Sequence, residues 1–169
     1  MKTLTLILVL VFSGCASTPV IHGIPNFRIV DLPNKVYRGG QPTIAGFQWL
    51  KTNGVTTIIK LNKNSEGSDI YAETNGIRVI HFPLNLRQQL GVETIQAGSL
   101  EELLANIPQN KIYFHCSHGQ DRTGLFCAER RVLIDKWTRQ AAEHEMLDDG
   151  FHKSLFGLWD YWKDKKCNK

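Results

Sequence analysis

Short apolar runs alternate with amphipathic stretches along most of the chain, a pattern that predicts an α/β domain. Val36-Tyr37-Arg38 reads as a first strand, ended by Gly39-Gly40 and a Gln41-Pro42 turn. Thr43 is placed to cap a helix that carries Ile44, Phe47 and Leu50 on one face, with Gly54 at its end. Val55 to Leu61, rich in β-branched residues, is the next strand. A polar loop over 62–68, a short helix over 69–75 closed by Gly76, and a strand over 77–82 complete a βαβ rhythm. Residues 83–93 form a polar connection, and Thr94 is expected to cap a helix through Ala105. Lys111 to His115 is a strand that runs straight into Cys116. Helices follow over 123–136 and after Thr138, the second ending at Gly150. The aromatic-rich segment 151–162 places Phe151, Phe156, Trp159 and Trp162 near helical spacing, the mark of a core face.

The length of 169 residues suits a single domain. With 42% hydrophobic and 21% charged residues, the chain has the composition of an ordinary globular protein. Its net charge of +4 is scattered, without the basic block that nucleic-acid binding requires, so no nucleic-acid partner is expected. No metal-ligand spacing occurs around Cys116 and His118, and neither a metal nor an organic cofactor is implied. A phosphate-loop NTPase is excluded because no Gly-x4-Gly-Lys-Ser/Thr is present.

The first residues depart from the rest. Lys2 supplies a positive start, Leu4 to Phe12 is apolar apart from Thr5, and Ser13-Gly14 precede Cys15. The stretch resembles a bacterial lipoprotein signal, with Phe12 where such signals usually carry Leu. That resemblance implies cleavage after residue 14, lipidation of Cys15 and, with Ala16 rather than Asp next, an outer-membrane anchor on the periplasmic side of the envelope. A plain secretory signal with an incidental cysteine is the alternative. Residues 1–14 are thus read as signal, 15–26 as a tether and 27–169 as the catalytic domain. In an oxidising compartment Cys127 could pair with Cys167, or Cys127 could be a buried small hydrophobe with Cys167 in the tail.

The chemistry concentrates in His115-Cys116-Ser117-His118-Gly119-Gln120-Asp121-Arg122-Thr123-Gly124. A loop between a strand and a helix start presents unpaired backbone N–H groups and a positive dipole end, and both favour an anion. The same field favours the thiolate of Cys116, the nucleophilic form of the side chain. Five residues on, Arg122 can bind two phosphoryl oxygens with its planar fork. Ser117, His118, Gly119, Gln120, Asp121 and Arg122 would cradle the anion, His115 would support the loop, and Thr123 could donate its hydroxyl to the Cys116 sulfur.

This loop resembles the His-Cys-x5-Arg-(Ser/Thr)-Gly signature of the protein tyrosine and dual-specificity phosphatases, with every position filled. Tyr37-Arg38-Gly39-Gly40-Gln41-Pro42 and the strand ending Lys60-Leu61-Asn62 are similar to segments of the small bacterial and fungal atypical dual-specificity enzymes. Glu145-Met146 and Gly150-Phe151 fit the helix after the loop, so the resemblance covers about residues 27–155. It implies a central, mostly parallel sheet flanked by helices. It also implies phosphomonoester hydrolysis through a phosphocysteine, with a phosphorylated protein or small molecule as substrate. A weakly active phosphate-binding module, or an enzyme for inositol or lipid phosphates, stays open beside it.

Such enzymes usually protonate the leaving group with an aspartate some thirty residues before the cysteine. Here the segment holds Asn85 and no aspartate. Asp121 is the leading substitute, with Glu93 and His118 behind it, and orientation of Arg122 is the other role open to Asp121. His144 and His152 read as surface or packing residues, and Arg38 and Arg87 as possible rim contacts for an anion.

Overall fold

The structure, a computed structural model, describes residues 19–84, 87–89, 92–94 and 99–164. It opens with a small hairpin of β1 (Val20–Ile21) and β2 (Ile24–Pro25). Then come β3 (Arg28–Asp31), β4 (Val36–Gly39), α1 (Ile44–Thr52), β5 (Thr57–Lys60), α2 (Ile70–Thr74) and β6 (Arg78–His81). A second hairpin, β7 (Arg87–Gln89) and β8 (Val92–Thr94), precedes α3 (Ser99–Asn106) and β9 (Ile112–His115). The chain finishes with α4 (Asp121–Leu133), α5 (Arg139–Asp148) and α6 (Phe156–Asp164).

Five strands form the main sheet in the order β3-β4-β9-β5-β6, parallel except for the edge strand β3. The alternation of side chains along a strand divides the core in two. Val36, Ile59, Ile112 and Phe114 face one side with Leu104, Phe126, Met146 and Trp162 from the later helices. Tyr37, Ile58 and Tyr113 face the other with Phe47 and Leu50 of α1 and Ala72 of α2. Both faces being covered, every residue of β4, β5 and β9 is buried, which is why these strands read as near-continuous apolar runs. Register then places Gly39, Lys60 and His115 side by side at the carboxyl end of the sheet. In parallel α/β sheets this end carries the ligand site.

The caps fall where the sequence puts them: Thr43 accepts from the Gly46 amide and Thr138 from the Ala141 amide. Several boundaries differ. Thr94 does not cap a helix but ends β8, and α3 starts at Ser99; the polar connection over 83–93 contains a hairpin that local propensity did not signal. Helix α4 begins at Asp121, two residues before the expected start, so Asp121 and Arg122 belong to its first turn. Phe156 is exposed, since the buried face of α6 is set by Leu158, Tyr161 and Trp162 at i, i+3 and i+4.

The expected tether needs the clearest correction. Residues 20–25 form the first hairpin, and Ile24 is fully buried against Gly39 and Gly46. Composition suggested a linker, but one large apolar side chain suffices to seat the segment on the α1 face of the sheet. The signal segment 1–14, Cys15 and Cys167 lie outside the described residues. Ile24→Ala should therefore lower the unfolding free energy by about 2–5 kcal/mol in a urea titration. A change near zero would return these residues to a tether.

Candidate active site

Cys116 follows the last residue of β9 and is buried, and the loop from it to α4 curls over the end of the sheet. Its conformation is held from outside by donors on three successive carbonyls. The Ser117 carbonyl accepts from the Gln41 amide at 3.0 Å, that of His118 from Asn26 Nδ2 at 2.8 Å, and that of Gly119 from Arg38 Nη2 at 3.2 Å. In a trans peptide the C=O and the following N–H point in opposite directions. Three carbonyls turned outward thus turn the amides of His118, Gly119 and Gln120 inward, and the Gly119 amide indeed donates to Cys116 Sγ at 3.3 Å. The first-turn amides of α4, without partners within the helix, extend this positive concavity.

The loop comes very close to β4. A Cβ on Gly119, whose φ is +82°, would lie 2.3 Å from the Gly39 carbonyl carbon, and one on Gly40 would lie 2.9 Å from the Ser117 oxygen. No side chain fits at either place. Tyr113, buried beneath, donates from its hydroxyl to the Gly40 carbonyl. Burial, together with negative charge at Cys116 and Asp69, holds its phenol well above the ordinary range, so the donor stays protonated. Thr123 is also buried, but its hydroxyl donates to the Gly39 carbonyl at 3.4 Å rather than to the Cys116 sulfur. The approach of β4 offers it a carbonyl.

Arg122 reaches back over the loop. Its Nη2 pairs with Glu66 Oε2 and lies 3.4 Å from Ser117 Oγ, which itself donates to Glu66 at 2.8 Å. Burial would lower the arginine's pKa, but Glu66 and Cys116 raise it above its ordinary value, so the guanidinium is a permanent cation beside the sulfur. The hydrogen bond from Arg122 likewise holds the Glu66 carboxyl below its usual range. Glu66 is therefore a carboxylate, suited to orienting Arg122 and poorly suited to donating a proton.

Beneath the loop lies a charged cluster that the sequence does not advertise. His115 Nε2 is 2.8 Å from Asp69 Oδ2, and His115 Nδ1 is 3.3 Å from the Cys116 carbonyl. Asp69 Oδ1 accepts from Lys60 Nζ at 2.9 Å and from Gln41 Nε2 at 2.8 Å. His115, Asp69 and Lys60 are all fully buried side chains. Burial alone would raise the Asp69 carboxyl; the hydrogen bond and charge of His115, with the bonds from Gln41 and Lys60, outweigh it and hold Asp69 well below the carboxylate range. Support of the loop by His115 is thus part of a network.

The segment after α5 closes the other side. Arg38, 1% exposed, binds Asp149 Oδ2 at 2.9 Å while holding the Gly119 carbonyl, so it is a scaffold residue and not a rim contact. Asp121 Oδ1 accepts from the His152 amide at 2.8 Å and lies 2.9 Å from His152 Nδ1. His118 is exposed. Asn85 lies outside the described residues, and Glu93 falls in β8, apart from the loop in sequence. Cys127 is buried with a free thiol, and burial pushes that thiol up to about 11, in keeping with a small core residue.

Asn26, Gln41, Lys60, Glu66 and Asp69 escaped sequence reasoning as site residues, and Arg38 was read for a different role. A usable signal for a buried role existed in Arg38 and Lys60, which are cations inside strands otherwise reading as buried on both faces.

An α/β domain with a Cys-x5-Arg loop folded around inward amides is the class this geometry defines. More narrowly, the chain belongs to the family described as DSP-PTPase phosphatase fused to NAD+ kinase, whose family model matches residues 19–154. It is 27% identical over 127 residues to the dual specificity protein phosphatase TpbA of Pseudomonas aeruginosa, a match covering 75% of this chain and 56% of TpbA. The chain thus spans just over half the length of that curated relative. The fold is similar to the crystal structure of P. aeruginosa TpbA, with a TM-score of 0.69, 22% identity and coverage of 90% and 91% of the two chains. It is also similar to the catalytic domain of the PP-IP phosphatase Siw14 of S. cerevisiae in complex with citrate, with a TM-score of 0.64, 21% identity and coverage of 86% and 87%. PTPMT1 in complex with PI(5)P matches with a TM-score of 0.58 at 15% identity, over 84% of this chain and 97% of that one.

The buried network ties loop and stability together. Asp69→Asn leaves Lys60 and His115 without their carboxylate and should cost about 3–5 kcal/mol of stability. Because the folded pKa of Asp69 is depressed, its contribution is present above the unfolded value of about 4 and is lost as pH falls from there toward the folded value. Denaturant titrations below pH 4 should show the wild type losing stability more steeply than Asp69→Asn.

Proposed function

We propose that the protein is a cysteine-dependent phosphomonoester hydrolase. The observation that carries this reading is the set of outward-tied carbonyls at Ser117, His118 and Gly119, which aims the loop's amides at the space over the Cys116 sulfur. Those amides and Arg122 hold the phosphoryl oxygens, and the charge spread over them in the transition state is met by groups that need no rearrangement. The Cys116 thiolate attacks phosphorus, the S–P bond forms as the ester P–O bond breaks, and the leaving oxygen takes a proton. Water then attacks the phosphocysteine and releases inorganic phosphate with return of the thiolate. His115, held by Asp69, keeps the Cys116 carbonyl turned away from the anion.

Phosphotyrosine-like aryl phosphates are the first substrate class, since a phenolic leaving group asks least of a proton donor. A cysteine-to-serine variant of TpbA in complex with pTyr has a similar fold to this chain. Inositol or lipid phosphates are a second reading, favoured by the Asp121-Arg122-Thr123 sequence of the loop and by the PI(5)P bound to PTPMT1. The N-terminal pattern supports a further part of the reading: a lipid on Cys15 after signal cleavage, anchoring the enzyme in a bacterial envelope, on the periplasmic side of the outer membrane.

Cys116→Ser should reduce turnover of an aryl phosphate by roughly 10⁴-fold or more while phosphate binding is retained. Wild-type turnover in that variant would overturn the covalent route, and phosphate binding without turnover by the intact protein would leave a binding module. A panel of aryl, inositol and lipid phosphates separates the substrate classes. Growth with a radiolabelled fatty acid should label the wild-type chain and not Cys15→Ala.

A further inference from the structure

The leaving oxygen needs a proton, and the two carboxyl groups described beside the loop, Glu66 and Asp121, are already engaged. Glu66 is engaged by Arg122 and Ser117. Asp121 spends one oxygen, Oδ1, on two donors of a single residue, the backbone amide and ring Nδ1 of His152. A ring nitrogen bonded to a carboxylate is the donor, so Asp121 fixes a proton on Nδ1 and leaves Nε2 as the working atom of the imidazole.

Placement supports a role at the loop. The turn from Asp149 to His152 is seated on the phosphate loop and the first turn of α4 through consecutive contacts. Asp149 holds Arg38, which holds the Gly119 carbonyl. A Cβ built on Gly150 would lie 2.7 Å from Gln120 Nε2, and one on Gly124 would lie 3.6 Å from the buried Phe151 ring. His152 follows at the rim, paired to the residue next to Arg122, with its side chain 58% exposed. A group that meets an incoming leaving group must be open to solvent in the free enzyme, and it must be aimed by something rigid. His152 satisfies both conditions.

We propose that His152, oriented by Asp121, is the proton donor of the reaction. This rests on the phosphatase reading and names its acid. In the charged ring, Nε2–H gives its proton to the ester oxygen as the P–O bond breaks and the S–P bond forms. The ring is left neutral with Nδ1–H still on Asp121. In the second step Nε2 takes a proton from the attacking water as the S–P bond breaks, which restores the charged ring and the Cys116 thiolate. An imidazole nitrogen can both give and take a proton, so one side chain can serve both steps.

The test uses His152→Ala, whose backbone amide keeps its bond to Asp121 and whose exposed position spares the fold. An alkyl phosphate and an aryl phosphate with an acidic phenol are compared. His152→Ala should lower kcat/KM for the alkyl ester by about 10²–10³-fold and for the activated aryl ester by only a few-fold, the range of a lost general acid. Added imidazole should restore part of the alkyl activity, which a merely structural loss would not permit. Adding Asp121→Asn to His152→Ala should cause little further loss, since Asp121 acts through the ring. Equal loss on both esters, or unchanged alkyl turnover, would overturn the proposal while the Cys116 chemistry stands. Absence of turnover by the wild type on either ester would overturn the phosphatase reading and this one with it.

Discussion

The contact on which the rest of the site depends is the approach of the Cys116 loop to the Gly39-Gly40 backbone. Gly119 lies so close to this pair that a methyl group would overlap main-chain atoms, so the two segments are in effect packed backbone to backbone. At that range the loop's carbonyls must find donors on neighbouring elements, and they do, in Gln41, Asn26 and Arg38. The inward direction of the amides follows from that outward bonding. A concavity of inward peptide N–H groups is thereby assembled, whose partial positive charges need no protonation to act.

Close packing of this kind brings charge into the interior. Lys60, Asp69 and His115 are fully buried, and Arg38 nearly so. Removing such charges from water costs several kcal/mol each, and the cost is offset by close charge pairing and hydrogen bonds. Asp69 meets it with three neighbours on two oxygens, and Lys60 adds the Gly67 carbonyl. The register of β5 and β9, which sets Lys60 beside His115, makes one aspartate sufficient for both. Stability and preorganisation of the loop are the same set of bonds, so the site cannot loosen without the domain paying for it.

Around this rigid floor the rim is built from segments distant in sequence. Glu66 comes from the turn after β5 and orients Arg122; the turn after α5 brings Asp149, Gly150 and His152 onto the loop. Among the described residues, the carboxylates of Glu66 and Asp121 beside the loop are both committed to cationic or N–H partners. Such commitments hold the rim in place, and the bond from His152 Nδ1 to Asp121 leaves the Nε2 edge of that ring turned to other partners.

Much was determined by the sequence alone. The apolar runs of β4, β5 and β9, the caps Thr43 and Thr138, and the Cys116-to-Arg122 spacing are local features, and local propensity and pattern report them faithfully. The loop's glycines were legible for the same reason. Tertiary structure alone decided what each polar side chain meets. Arg38 looked like a rim residue and is core; Ile24 sat in an apparent tether and is core; Thr123 was aimed at a sulfur and binds a carbonyl instead. Asp69 and His115, 46 residues apart, and Asp121 and His152, 31 apart, become pairs only through strand register and helix packing. Periodicity carries no signal for such pairs, because a hydrogen bond across the fold depends on where two backbones arrive and not on what lies between them.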